Sequence, residues 1–310
     1  YTPASIVVDA PAVYDEWKPR NYEEWNYQGA IRLRQALARS INMVAIRVVE
    51  DIGVGDVAEF ARQNGITTKL EEDMALALGA SGVRPIELTN AYATFAAGGR
   101  WSPARIVTRI IAPDGSEVPL PPAEASRDVM DPSEAYVMTS MLRSVVMEGT
   151  GTPAQRLERP VVGKTGTSNE TRDAWFMGYS PTVVAGVWVG FDDSRSLGKR
   201  ETGTRAALPI WIDVIEAADK TPKETDFAVP SGVIVTSIDP ASGLLAYPGQ
   251  EDAIDEVFLS GTAPAEVARP PDVADPNMFL MEQYEDGETT SVDGSLRSRE
   301  ERVLGGMAAP

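Results

Sequence analysis

Cysteine and histidine are both absent from the sequence. Without cysteine no disulfide can form, and the redox compartment cannot be read. Without histidine a Ser-His-Asp triad and histidine-ligated zinc are excluded. Acid–base chemistry is left to lysine, carboxylates and tyrosine. Positive charge is scarce as well. Lys and Arg number 28 against 46 Asp and Glu, a net charge of -18. Such a balance repels nucleic acid and anionic membrane surfaces outside local patches. No apolar run reaches membrane-spanning length. What is present is a globular composition: 310 residues, 43% hydrophobic and 24% charged, enough for one large domain or two smaller ones.

Residues 1 to 29 are rich in proline, tryptophan, tyrosine and asparagine without steady period, and are expected to form an extended, loop-rich cover. From Ala30 the spacing of Leu33, Leu37, Ile41, Val44, Val48 and Ile52 predicts a helix that stops at Gly53. Ser40-Ile41-Asn42 lies inside it. Positions two apart point to different sides of an unbroken helix, so a shared site for Ser40 and Asn42 requires a break there. Both residue types also serve as caps. Further helices are expected over residues 54 to 64, Pro85 to Ala97, Asp131 to Glu148 and Leu208 to Ala218. The third of these opens on a capping box. Ile106 to Ile111 is expected as a strand. Val233 to Ile238 is expected to form a hairpin with Leu244 to Ala246.

Residues 159 to 190 hold three short apolar runs separated by polar residues and turns, the pattern of an antiparallel meander. The first run carries Lys164-Thr165-Gly166-Thr167. Lysine offers charge and donors, and the threonine hydroxyls can hold a carboxylate. The glycine leaves room for another backbone or a ligand. A strand edge so equipped could take an extended peptide by strand addition. Gly163-Lys164-Thr165 also looks like the end of a phosphate-binding loop. That loop needs a glycine where this chain has Glu158.

Together these pieces resemble a known family. Ser40-x-Asn42 followed by Lys164-Thr165-Gly166 is similar to the second and third motifs of the penicillin-recognising serine enzymes. The sequences Leu33 to Asn42, Ala91 to Gly99, Gly163 to Thr167, Asp173 to Tyr179 and Gly186 to Asp193 resemble class A (bifunctional) penicillin-binding proteins, from Tyr1 to about Pro264. The resemblance implies an α+β fold, with an antiparallel sheet carrying helices beside an all-helical lobe and a site between them. It implies a peptidoglycan D,D-transpeptidase acting on D-alanyl-D-alanine stem peptides, inhibited by β-lactams, on the extracytoplasmic face of the bacterial membrane. Ser40 would relay a proton, Asn42 would hold the substrate amide and Lys164 would supply charge. Thr165, Gly166 and Thr167 would bind the substrate. No metal or cofactor is implied.

One departure stands out. The family's nucleophile motif, Ser-x-x-Lys, should precede Ser40. The sequence holds such a spacing only at Ser196-Leu197-Gly198-Lys199, in a polar loop after the third motif, where we read it as chance. We therefore expect a fragment that opens inside the catalytic domain. Its parts would be transpeptidase domain 1–220, a β-rich extension 221–264 and a disordered acidic tail 265–310. A non-catalytic cell-wall-binding scaffold, a D,D-carboxypeptidase or a β-lactamase are the alternatives.

Overall fold

A computed structural model describes residues 1–14, 17–23 and 26–270. The expected cover at the start contains a strand, β1 (Ile6–Asp9), antiparallel to β2 (Gly29–Arg32). Four paired residues are too few to leave a readable alternation, and for that reason β1 escapes the sequence pattern.

The helical run from Ala30 is divided into β2, α1 (Leu33–Arg39) and α2 (Asn42–Ile52). No side chain caps α1 at its start. Its first free N–H groups donate to the carbonyls of Ser5 (2.8 Å, from Leu33) and Pro3 (3.1 Å, from Arg34). Next come α3 (Val54–Gln63) and α4 (Pro85–Ala96), then the short strands β3 (Arg100–Trp101), β4 (Ile110–Ile111), β5 (Glu117–Val118) and β6 (Arg127–Asp128). Only the last two residues of the expected Ile106 to Ile111 strand pair. Ile106 is 87% exposed, so nothing covers the start of the run. Helix α5 (Pro132–Met147) opens on the expected box: Asp131 accepts from the Ser133 N–H, and Glu134 accepts from the Asp131 N–H.

The meander is β7 (Val162–Thr167), β8 (Asp173–Tyr179) and β9 (Val184–Gly190), antiparallel in that order. Alternation divides its faces. Phe176 and Ala185 pack against Trp211, Ile212 and Ile215 of α6 (Leu208–Ala218). Val162 and Tyr179 on the opposite face meet Leu142 of α5, with Tyr92 and Phe95 of α4 beside them. Trp211 is fully buried and donates its Nε1–H to the Ala185 carbonyl at 2.9 Å. The fold is thus α+β, its sheet held between one helix and a helical lobe.

After α6 the expected hairpin is rearranged. β10 (Val233–Ile238) pairs along its whole length with β11 (Ile254–Leu259), not with Leu244 to Ala246. The latter segment keeps only a bridge, Ile238 with Leu245. The reason is side-chain burial: β11 sinks Glu256 and Phe258 into the molecule, whereas Leu244 to Ala246 are only partly buried. The boundary expected at 264 also moves. Leu245 exchanges hydrogen bonds with Glu266 and Ala268, and Ala268 is buried. The rest of the expected tail, 271–310, lies outside the described residues.

Candidate active site

The break between α1 and α2 builds the first wall of the site. The N–H of Ser40 donates to the Leu37 carbonyl (3.1 Å) and that of Ile41 to the Ala36 carbonyl (2.9 Å). This is the paired closure of a Schellman turn, in which the left-handed position ordinarily holds glycine. Here Ser40 occupies it, with φ 58° and ψ 48°. A left-handed non-glycine residue costs about 1–2 kcal/mol. A strained serine where glycine would be comfortable marks a position whose hydroxyl is needed. Ile41 then returns to extended backbone and Asn42 starts α2. Ser40 and Asn42 thereby reach the same space, the condition set by their spacing.

The second wall is β7, an edge strand of its sheet. Lys164 lies on the face that meets the helical lobe and donates to Ser40 Oγ at 2.6 Å and to its neighbour's carbonyl, Thr165, at 2.9 Å. Residues 124 apart in sequence are thus joined. Burial without a carboxylate partner lowers the Lys164 pKa from 10.5 to about 8. Thr165 and Thr167 follow on the strand. The Thr165 hydroxyl lies 2.6 Å from that of Thr150, and Thr167 Oγ1 accepts from the Gly203 N–H at 3.0 Å. A β-carbon on Gly166 would lie 3.1 Å from the Trp175 side chain, and the close approach of backbones here depends on Gly203. A β-carbon on Gly203 would come 2.6 Å from the Gly166 carbonyl.

Ser40, Asn42, Thr150, Thr165 and Thr167 line one cleft of about 1270 Å³. Asn42 donates from Nδ2 to the Arg20 carbonyl at 2.8 Å, bringing the segment before β2 over the cleft. The Thr165 and Thr167 hydroxyls can hold a carboxylate, and a proton can pass between Ser40 and Lys164. Ser196 sits at the rim. Its hydroxyl donates to the Glu170 carbonyl at 2.7 Å, and both Ser196 and Lys199 are exposed. Nothing there desolvates a lysine into a base.

Sequence reasoning missed Thr150, although Gly149-Thr150-Gly151 between a helix and the sheet was the available signal. It also missed the support of α1. Glu256 of β11, 1% exposed, receives Arg34 Nε at 2.8 Å and Nη2 at 2.5 Å. Arg34 also donates to the Ser140 carbonyl (2.6 Å) and Ser144 Oγ (3.0 Å) of α5.

A three-stranded meander between helices, with a lysine and a serine hydroxyl meeting at its edge, is the arrangement that the resemblance to the penicillin-interacting serine enzymes implied. The Penicillin binding protein transpeptidase domain matches residues 7–203, and the chain belongs to that family. It is similar to Penicillin-binding protein 1A of Aquifex aeolicus, 40% identical over 256 residues, which covers 82% of this chain and 34% of that protein. It is similar also to Penicillin-binding protein 1A of Pseudomonas aeruginosa, 33% identical over 351 residues, covering 94% and 42%. Among solved structures, Penicillin-Binding Protein 1A from Haemophilus influenzae aligns with a TM-score of 0.79 at 28% identity, over 86% of this chain and 46% of that one. The PonA1 protein from Mycobacterium tuberculosis in complex with penicillin V shares the fold, with a TM-score of 0.62 at 24% identity over 73% and 66%. The chain therefore spans well under half the length of these curated relatives.

Proposed function

We propose that this chain supplies the proton-relay and substrate-binding side of a peptidoglycan D,D-transpeptidase. The observation that carries the reading is the 2.6 Å contact between Lys164 Nζ and Ser40 Oγ at the edge of β7. A D-alanyl-D-alanine stem peptide would lie along β7 as an added strand. Thr165 and Thr167 would donate to its terminal carboxylate, and Asn42 would hold a peptide amide. A serine in a Ser-x-x-Lys segment outside this sequence would attack the carbonyl. Ser40, sharing its proton with Lys164, would protonate the departing D-alanine nitrogen. The acyl group would then pass from the serine ester to the amine of a second peptide, whose proton returns through the same hydroxyl. β-Lactams would acylate the same serine, and the reaction would take place on the extracytoplasmic face of the membrane.

Labelling with fluorescent penicillin tests the proposal. The complete gene product should acylate on its Ser-x-x-Lys serine. Ser40→Ala and Lys164→Ala should each slow acylation about 100-fold, the scale of lost electrostatic support in acyl transfer. Residues 1–310 expressed alone should form no adduct. A stoichiometric adduct on Ser196 would overturn the assignment.

A further inference from the structure

Thr150 touches both walls of the cleft. Its N–H donates to the carbonyl of Ala38, in the last turn of α1, at 3.2 Å. That carbonyl is one of those a helix end leaves unpaired. Its own carbonyl accepts from Thr204 Oγ1 at 2.9 Å, in the segment that leads into α6. The chain can approach so closely because the preceding residue is glycine. A β-carbon on Gly149 would lie 2.1 Å from the Ala38 carbonyl oxygen. With its backbone fixed on both sides, the Thr150 hydroxyl is held 2.6 Å from that of Thr165.

We infer that Thr150 is a positioning residue for recognition of the substrate carboxylate, an inference that rests on the transpeptidase reading above. A threonine hydroxyl has one proton to give and two lone pairs to receive with. If Thr165 gives its proton to a carboxylate, its contact with Thr150 must run the other way, with Thr150 donating. The resulting chain runs from Thr150 to Thr165 to carboxylate, each bond polarising the next. Thr150 thus fixes the rotamer of Thr165 and strengthens its donation without touching the ligand. Because its N–H also holds Ala38, two residues before Ser40, it sets the distance between the carboxylate anchor and the proton relay.

The test compares Thr150→Val, which keeps the shape and removes the donor, with Thr150→Ser, which keeps the donor. Acylation of the complete gene product is measured with benzylpenicillin and with its methyl ester, which lacks the free carboxylate. Thr150→Val should weaken the apparent affinity for benzylpenicillin about fivefold to tenfold, the scale of one net hydrogen bond. The limiting acylation rate should stay near wild type, the ester should react as it does with wild type, and Thr150→Ser should restore the preference. Equal loss toward both compounds, or no loss, would overturn the inference. Thr165→Val is the control. If it too leaves the preference for the free carboxylate intact, the transpeptidase reading of β7 fails. If it abolishes the preference while Thr150→Val does not, only the role of Thr150 fails.

Discussion

Replacing Lys164 by methionine should make the protein more stable and less active. The lysine is buried without a carboxylate, and its pKa falls from 10.5 to about 8. Desolvation by burial is the cause of the shift. A displacement of this size corresponds to about 3 kcal/mol of unfavourable free energy for the folded cation at neutral pH. Between pH 8 and pH 10.5 the unfolded chain holds a proton that the folded chain has released, so stability rises with pH across that window. Lys164→Met removes the titration while roughly preserving volume. At neutral pH the variant should be more stable by about 1–3 kcal/mol, and the advantage should shrink toward zero as pH approaches 10.5. Urea unfolding of wild type and variant across this range measures both curves. A difference that stays constant from pH 7.5 to 10.5 would refute the claim that burial of the ammonium is unfavourable. In the complete gene product the same substitution should slow penicillin acylation about 100-fold, the price of a site kept for chemistry rather than stability. Wild-type acylation should decline as pH rises through about 8.

Three further outcomes follow from particular contacts. Ser40→Gly should relieve about 1–2 kcal/mol of left-handed strain but take an acceptor worth about 1.5–3 kcal/mol from the buried Lys164 ammonium, so urea unfolding should show a net loss of up to about 1 kcal/mol, with loss of the proposed proton relay. Gly149→Ala should destabilise by about 3 kcal/mol or more, because its β-carbon would meet the Ala38 carbonyl and the Val145 backbone, neither of which can swing aside. Glu256→Ala should cost about 3–5 kcal/mol in the same assay by leaving Arg34 buried without its partner. A change under about 1 kcal/mol in that variant would mean that the pair is solvated.

The meander and the helices α3 to α6 were legible because long elements repeat their signals: alternation along the strands, three- and four-residue spacing along the helices, and caps at their ends. The site was legible as far as its motifs went. Ser40-x-Asn42 demanded a break, and the break is there. Thr150 and the Arg34–Glu256 pair were not legible. Each depends on a single residue meeting a distant one, and such a meeting leaves no periodic trace along the chain. The pairing of β10 was misread for a related reason. The nearest apolar triplet looked like the partner, whereas the real one is chosen by what it buries.

The bond from Arg34 to Glu256 spans 222 residues. During translation, at about 5–20 residues per second, α1 therefore leaves the ribosome roughly 10–45 s before its counter-charge. The meander and α6 are complete by Ala218 and can assemble in the interval. Arg34 meanwhile has the α5 serines but no anion. The helix that leads into Ser40 is made well before β11 and is locked only when β11 arrives. A nascent chain stalled after α6 should carry a formed sheet beside a loose relay, so that β-lactam reactivity appears only after β11 has emerged.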